Sequence, residues 1–164
     1  MIKNVKPIFV VLVFSSFISF SFVENRVSTE KLVPGIKAPT LILENEAQKL
    51  DLQTEKGNYT ILSFWAGYDA KSRMRNVELC HASEKHDNIK MISVSMDNNK
   101  SIFNAAIKQD QLNLDYCYNE TEGKHSEIFN EYELKKGFAN YLLDSNGVII
   151  AKNVSADELN MYIK

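Results

Sequence analysis

The stretch YTILSFWA, residues 59–66, constrains the fold more than any other part of the chain. It is rich in β-branched and aromatic residues and almost continuously apolar. A surface strand alternates apolar with polar residues, whereas an unbroken run fits a central strand buried on both faces. A helical pattern follows over 69–85, with Asp69 as its N-cap and Met74, Val77 and Cys80 as a weak apolar stripe.

The remaining elements read in the same way. IKMISVSM (89–96) is the next strand, and residues 97–110 form a helix with Ile102, Phe103, Ala106 and Ile107 on one face. LDYCY is a short apolar piece. Residues 126–134 give another helix with Ile128, Phe129 and Tyr132 as its stripe. Apolar runs on both sides of Asn146-Gly147 make a hairpin. Ser155 and Glu158 form a capping box ahead of a terminal helix. Upstream, APTLILEN and KLDL give two short strands joined by turn-like residues, a second hairpin. The order β-β-β-α-β-α-(β)-α-β-β-α implies an α/β sandwich, a mixed central sheet flanked by helices with an N-terminal hairpin extension.

The chain has 164 residues, enough for one domain and a leader. Lys3 and Lys6 precede an uncharged, mostly apolar run of 17 residues, Pro7 to Val23. That run is short for a membrane span of about 20 residues. Residues 1–23 therefore read as a secretory signal peptide, with an uncleaved N-terminal anchor as the alternative. Only the anchor would hold the protein at a membrane. Residues 24–33 read as a linker and 34–164 as the domain. Taking Lys3 and Lys6 from the 19 basic residues leaves 17 against 21 acidic ones, a balance of −4. Nucleic-acid binding ordinarily needs a basic face, so no nucleic-acid partner is expected.

Two cysteines, Cys80 and Cys117, stand 37 residues apart and form no C-x-x-C motif. Cys80, His81 and His86 are close in sequence, but adjacent helical residues point apart. No metal site and no cofactor are expected.

Four segments, in order, carry a resemblance covering about residues 33–164. VPGIKAPTLILEN resembles a G-x-x-A-P-x-F-x-L opening. KGNYTILSFWAGYDAKSR resembles the core G-K-x-x-L-x-F-W-A-S-W-C-x-x-C-R. MISVSMDNN resembles a V-S-x-D strand end, and NYLLDSNGVIIAKNVSADEL resembles T-F-L-I-D-x-x-G-x-I with its following helix. Together these resemble a thioredoxin-fold protein of the secreted TlpA type, near the alkyl hydroperoxide reductase/thiol-specific antioxidant superfamily. The resemblance implies export to a bacterial periplasm and an unidentified envelope protein as partner. It also places Asp69 where the family's nucleophilic cysteine stands, Ser72 at its resolving cysteine and Phe138 at its cis-proline.

Disulfide exchange requires a thiolate, which neither Asp69 nor Ser72 supplies. The first expectation is therefore a non-catalytic binding or scaffolding module with no catalytic residue. Its partner surface would comprise Tyr68, Asp69, Lys71, Arg73 and Phe138. Lys71, Arg73 and Arg75 crowd the first turns of the helix, where cations oppose the helix dipole, so the readings for this end are a site for an anion or an acidic partner, or a plain solvated charged surface. The alternative is a divergent thiol oxidoreductase or peroxidase using Cys80 or Cys117. Trp65 is assigned to the core. Cys80, about 16 Å along the helix from Asp69, falls at the far end from the site.

Overall fold

The computed structural model describes residues 31–45, 48–54 and 59–163. The leader and most of the linker lie outside these residues. Among the described residues no helix is long and apolar enough to cross a membrane.

The run at 59–66 forms β3 (Tyr59–Trp65), in the middle of a five-stranded sheet. Four further strands complete that sheet: β4 (Ile89–Ser95), β5 (Cys117–Asn119), β6 (Asn140–Leu143) and β7 (Ile149–Lys152). Their order is β5-β4-β3-β6-β7. β4 lies parallel to both β3 and β5, and β6 is antiparallel to β3 and β7, so the sheet is mixed as expected. The N-terminal hairpin is β1 (Ile42–Glu44) paired antiparallel with β2 (Lys49–Asp51).

Because side chains alternate along a strand, β3 feeds two cores. Leu62 and Phe64 face one side, with Ile92, Tyr118, Tyr132 and Tyr141. Ile61 and Trp65 face the other, with Leu79, Cys80, Phe103, Ile107 and Cys117. The second side is covered by α1 (Ala70–Ser83), α2 (Lys100–Asp110) and the short α4 (Leu159–Tyr162). The first is covered by α3 (Glu127–Glu131) and the β1–β2 hairpin, which contributes Leu43 and Leu50.

The β7 edge is paired by backbone, and the β5 edge is touched by a side chain of the hairpin. Asn45 Nδ2 donates to the carbonyls of Leu114 (3.2 Å) and Cys117 (3.3 Å) beside β5. At the far edge Gly35 N–H donates to the Ile149 carbonyl (2.8 Å), and Ile149 N–H returns a bond to Ile36 (2.9 Å). Covering an edge removes the unpaired strand that would otherwise recruit another chain. Leu32 is buried in the first core although the sequence places it in the linker.

Three details differ from expectation. The buried face of α1 is Ser72, Asn76, Leu79, Cys80 and Ser83; of the expected stripe Cys80 is buried and Val77 packs against the core, while Met74 is 60% exposed. The β6–β7 connection is a longer turn than Asn146-Gly147 alone. The Asp144 carboxylate accepts N–H bonds from Asn146 (2.8 Å) and Val148 (2.9 Å), and Gly147 takes a positive φ of 76°. The terminal helix begins at Leu159, because Glu158 N–H is already bonded to the Ser155 carbonyl in a turn (3.2 Å). The return half of the box is present, with Ser155 N–H donating to Glu158 Oε2 (2.9 Å).

Candidate functional site

The parallel strands β3 and β4 end side by side, and the loops beyond their carboxyl ends meet there. Such crevices are where open α/β sheets place ligand sites. The β3–α1 loop is held from below. Gly67 N–H donates to the Asp97 carboxylate (2.8 Å), which also accepts the Ser95 hydroxyl (2.8 Å). A Cβ at position 67 would stand 3.3 Å from Asp97 Oδ2 and 3.0 Å from Ile102 Cγ2, so a larger residue there would have to push these side chains back by a few tenths of an ångström. Asp69 N–H then closes the turn onto the Ala66 carbonyl (3.0 Å).

Asp69 is the N-cap of α1, with extended backbone angles. Its Oδ1 accepts from the backbone N–H of Lys71 (3.2 Å) and Ser72 (3.5 Å), satisfying donors that a helix start leaves unpaired. Ser72 is buried, and its hydroxyl donates to the Asp69 carbonyl (3.1 Å). The two positions are thus spent on holding the helix start together.

Tyr68 projects from the loop, 59% exposed, with its ring 6.1 Å from that of half-buried Phe138. Burial and the Asp97 and Asp69 carboxylates raise the Tyr68 phenol, which stays neutral. Lys124 sits over the Tyr68 ring, Nζ 5.4 Å from its centroid. These residues line a groove of about 700 Å³ together with Asp69, Lys71 and Lys135.

The basic cluster does not assemble. Residues two apart on a helix point about 200° apart. Arg73 turns to α2, where its Nε and Nη2 grip the two Asp110 carboxylate oxygens at 2.7 and 2.8 Å. This pairing raises its pKa and removes it from the groove. Arg75 turns the other way and donates to the Phe138 carbonyl (2.6 Å). Of the expected partner surface, Tyr68, Asp69, Lys71 and Phe138 come together and Arg73 does not. Lys124 and Lys135 reach the groove from distant loops, and no local sequence pattern marks them.

Both thiols are free and buried. Cys80 and Cys117 belong to the core beneath α1 and α2, along with Trp65. Burial, and then the neighbouring Cys117, pushes the Cys80 thiol far up. Burial pushes Cys117 up to about 11, against a smaller lowering by its bond with Ser93. Neither becomes a thiolate near neutrality. Cys80 points into the core while His81 is exposed. Among the described residues no group of acidic, His or Cys side chains is placed to hold a metal.

The sequence also left unread a polar cluster behind the site. Trp65 Nε1–H donates to Ser93 Oγ (2.9 Å), and Ser93 Oγ–H donates to Asn76 Oδ1 (3.0 Å). A larger groove, about 820 Å³, runs between α2 and β5 over Phe103, Ile107 and Leu112. Cys117, Asn119 and Thr121 also line it, and none of the Tyr68, Asp69, Lys71 and Phe138 set does.

No protein-family model matches the chain, and no curated protein matches it. Solved structures do. A thioredoxin-like protein from Parabacteroides distasonis is 42% identical, with a TM-score of 0.70 over 79% of this chain and 93% of the other. A thiol-disulfide oxidoreductase from Bacteroides fragilis is 27% identical, with a TM-score of 0.66 over 77% and 96%. The thioredoxin domain of a thiol-disulfide oxidoreductase from Bacteroides vulgatus shares the fold at 19% identity, with a TM-score of 0.69 over 81% and 99%. The chain belongs to the thioredoxin-like family.

Proposed function

We propose that this is an exported thioredoxin-like protein of the bacterial envelope that binds a partner instead of exchanging disulfides. The groove of Tyr68, Asp69, Lys71 and Phe138 is the binding face. One observation carries the reading: the helix start that would activate a thiolate holds a carboxylate bonded to its own helix. A carboxylate gains from the positive helix end as a thiolate does, yet cannot attack sulfur. The only two thiols in the chain are buried and neither lines the groove.

The test is reduction of a protein disulfide by dithiothreitol, with and without the full chain. The expected result is no acceleration over dithiothreitol alone, and alkylation of Cys80 and Cys117 only on unfolding. Turnover that disappears with Cys80→Ala or Cys117→Ala would establish the thiol-enzyme reading in its place.

A further inference from the structure

The groove has a charge that the molecule as a whole lacks. The chain carries a net −2, yet the groove brings together Lys71, Lys124 and Lys135 from three separate elements. Among the described residues none of these three ammonium groups has a carboxylate within ion-pair distance, whereas Arg73 is paired with Asp110. Asp69, the one acid in the groove, already accepts two backbone N–H groups. The Tyr68 and Phe138 rings, 6.1 Å apart, form the apolar strip of the same groove.

We infer that the groove takes an acidic peptide segment of a partner protein, its apolar side chain on the Tyr68–Phe138 rings and its carboxylates on Lys71, Lys124 and Lys135. This rests on the binding-face reading above and adds the chemistry of the occupant. The apolar strip selects a segment that carries a side chain for the rings, which a bare phosphate or sugar anion lacks. The lysines, which have no carboxylate partner, select acidic flanks and reject basic ones, through steering and through like-charge repulsion. Because the charges are exposed, the preference weakens as salt shortens the screening length from about 10 Å at 0.1 M to about 3 Å at 1 M.

The experiment is selection from a random peptide display library on the immobilised full chain, followed by fluorescence anisotropy with the enriched peptides. Enriched peptides are expected to be net acidic with an aromatic or aliphatic residue among the acids. Their affinity should fall about tenfold or more in the Lys71→Glu/Lys124→Glu/Lys135→Glu variant, as expected for several opposed charges. It should be retained in the Lys→Arg triple variant and fall with rising salt. All three lysines are exposed, so the far-ultraviolet circular dichroism of both variants should match the parent. Enriched peptides that are neutral or basic, yet lose binding in Tyr68→Ala/Phe138→Ala, would overturn the acidic occupant and keep the binding face. Acidic peptides indifferent to the aromatic pair but displaced by inorganic phosphate would overturn the peptide occupant. Peptides indifferent to both sets of substitutions would overturn the binding face itself.

Discussion

At Asp69 a single carboxylate oxygen takes the backbone N–H groups of Lys71 and Ser72, and that geometry fixes what substitution does. Asp69→Ala leaves both donors without an acceptor and should cost about 0.5–2 kcal/mol in urea unfolding. Asp69→Asn keeps a capping oxygen and should stay within about a few tenths of a kcal/mol of the parent. Equal losses in the two variants would show that charge, not capping, holds this helix start. Cys117 makes a prediction in pH. Its folded thiol titrates at about 11 against an ordinary value of 9.0. Between these values the unfolded chain has released the proton and the folded chain has not, so stability falls as pH rises. The decline should approach about 1.4 kcal/mol per pH unit from this thiol. The stability linked to this thiol should be present in full below pH 9 and be lost by pH 11, and the decline between them should be shallower in Cys117→Ala, as read from urea midpoints.

Elements show where the sequence was legible and where it was not. β3 could be read because its apolar run is short, β-rich and bounded by turn residues. The buried face of α1 could not, because it is built from Ser72, Asn76 and Ser83, which hydropathy assigns to solvent. The Asn76 amide oxygen is satisfied by Ser93 of the strand beneath, bonded to it at 3.0 Å and 17 residues away in sequence, while the Ser72 and Ser83 hydroxyls donate to the Asp69 and Cys80 carbonyls. Asp69 and Tyr68 were legible because capping and exposure are local properties. The dispersal of Arg73 and Arg75 was not, since it depends on which elements flank the helix. Gly137 belongs to the same scale. Its φ of 122° and ψ of 158° lie where only glycine rests easily, and it sets the position of Phe138. Gly137→Ala should cost about 1–3 kcal/mol. It should also move the Phe138 ring from Tyr68, seen as a loss of ring-to-ring nuclear Overhauser contacts. An unchanged melting temperature would mean that this segment relaxes freely.

Across the whole molecule, two separate apolar cores share one sheet, and β3 supplies side chains to both. Leu62 lies in the core beneath α3 and the N-terminal hairpin, and Ile107 lies in the core beneath α1 and α2. If the sheet couples the two layers, neither core can melt alone, because losing either exposes one face of β3, β4 and β6. Leu62→Ala and Ile107→Ala should each then lower stability by about 2–5 kcal/mol, the usual cost of a buried aliphatic truncation. Each should do so within a single transition whose midpoint is the same by tryptophan fluorescence and by circular dichroism. Trp65, the only tryptophan in the chain, lies in the Ile107 core and reports that side alone. A Leu62→Ala protein whose circular dichroism fell before its fluorescence would show the hairpin layer unfolding by itself. Coincident curves in both variants would mean that the groove, built from loops above both cores, is lost only when the whole domain unfolds.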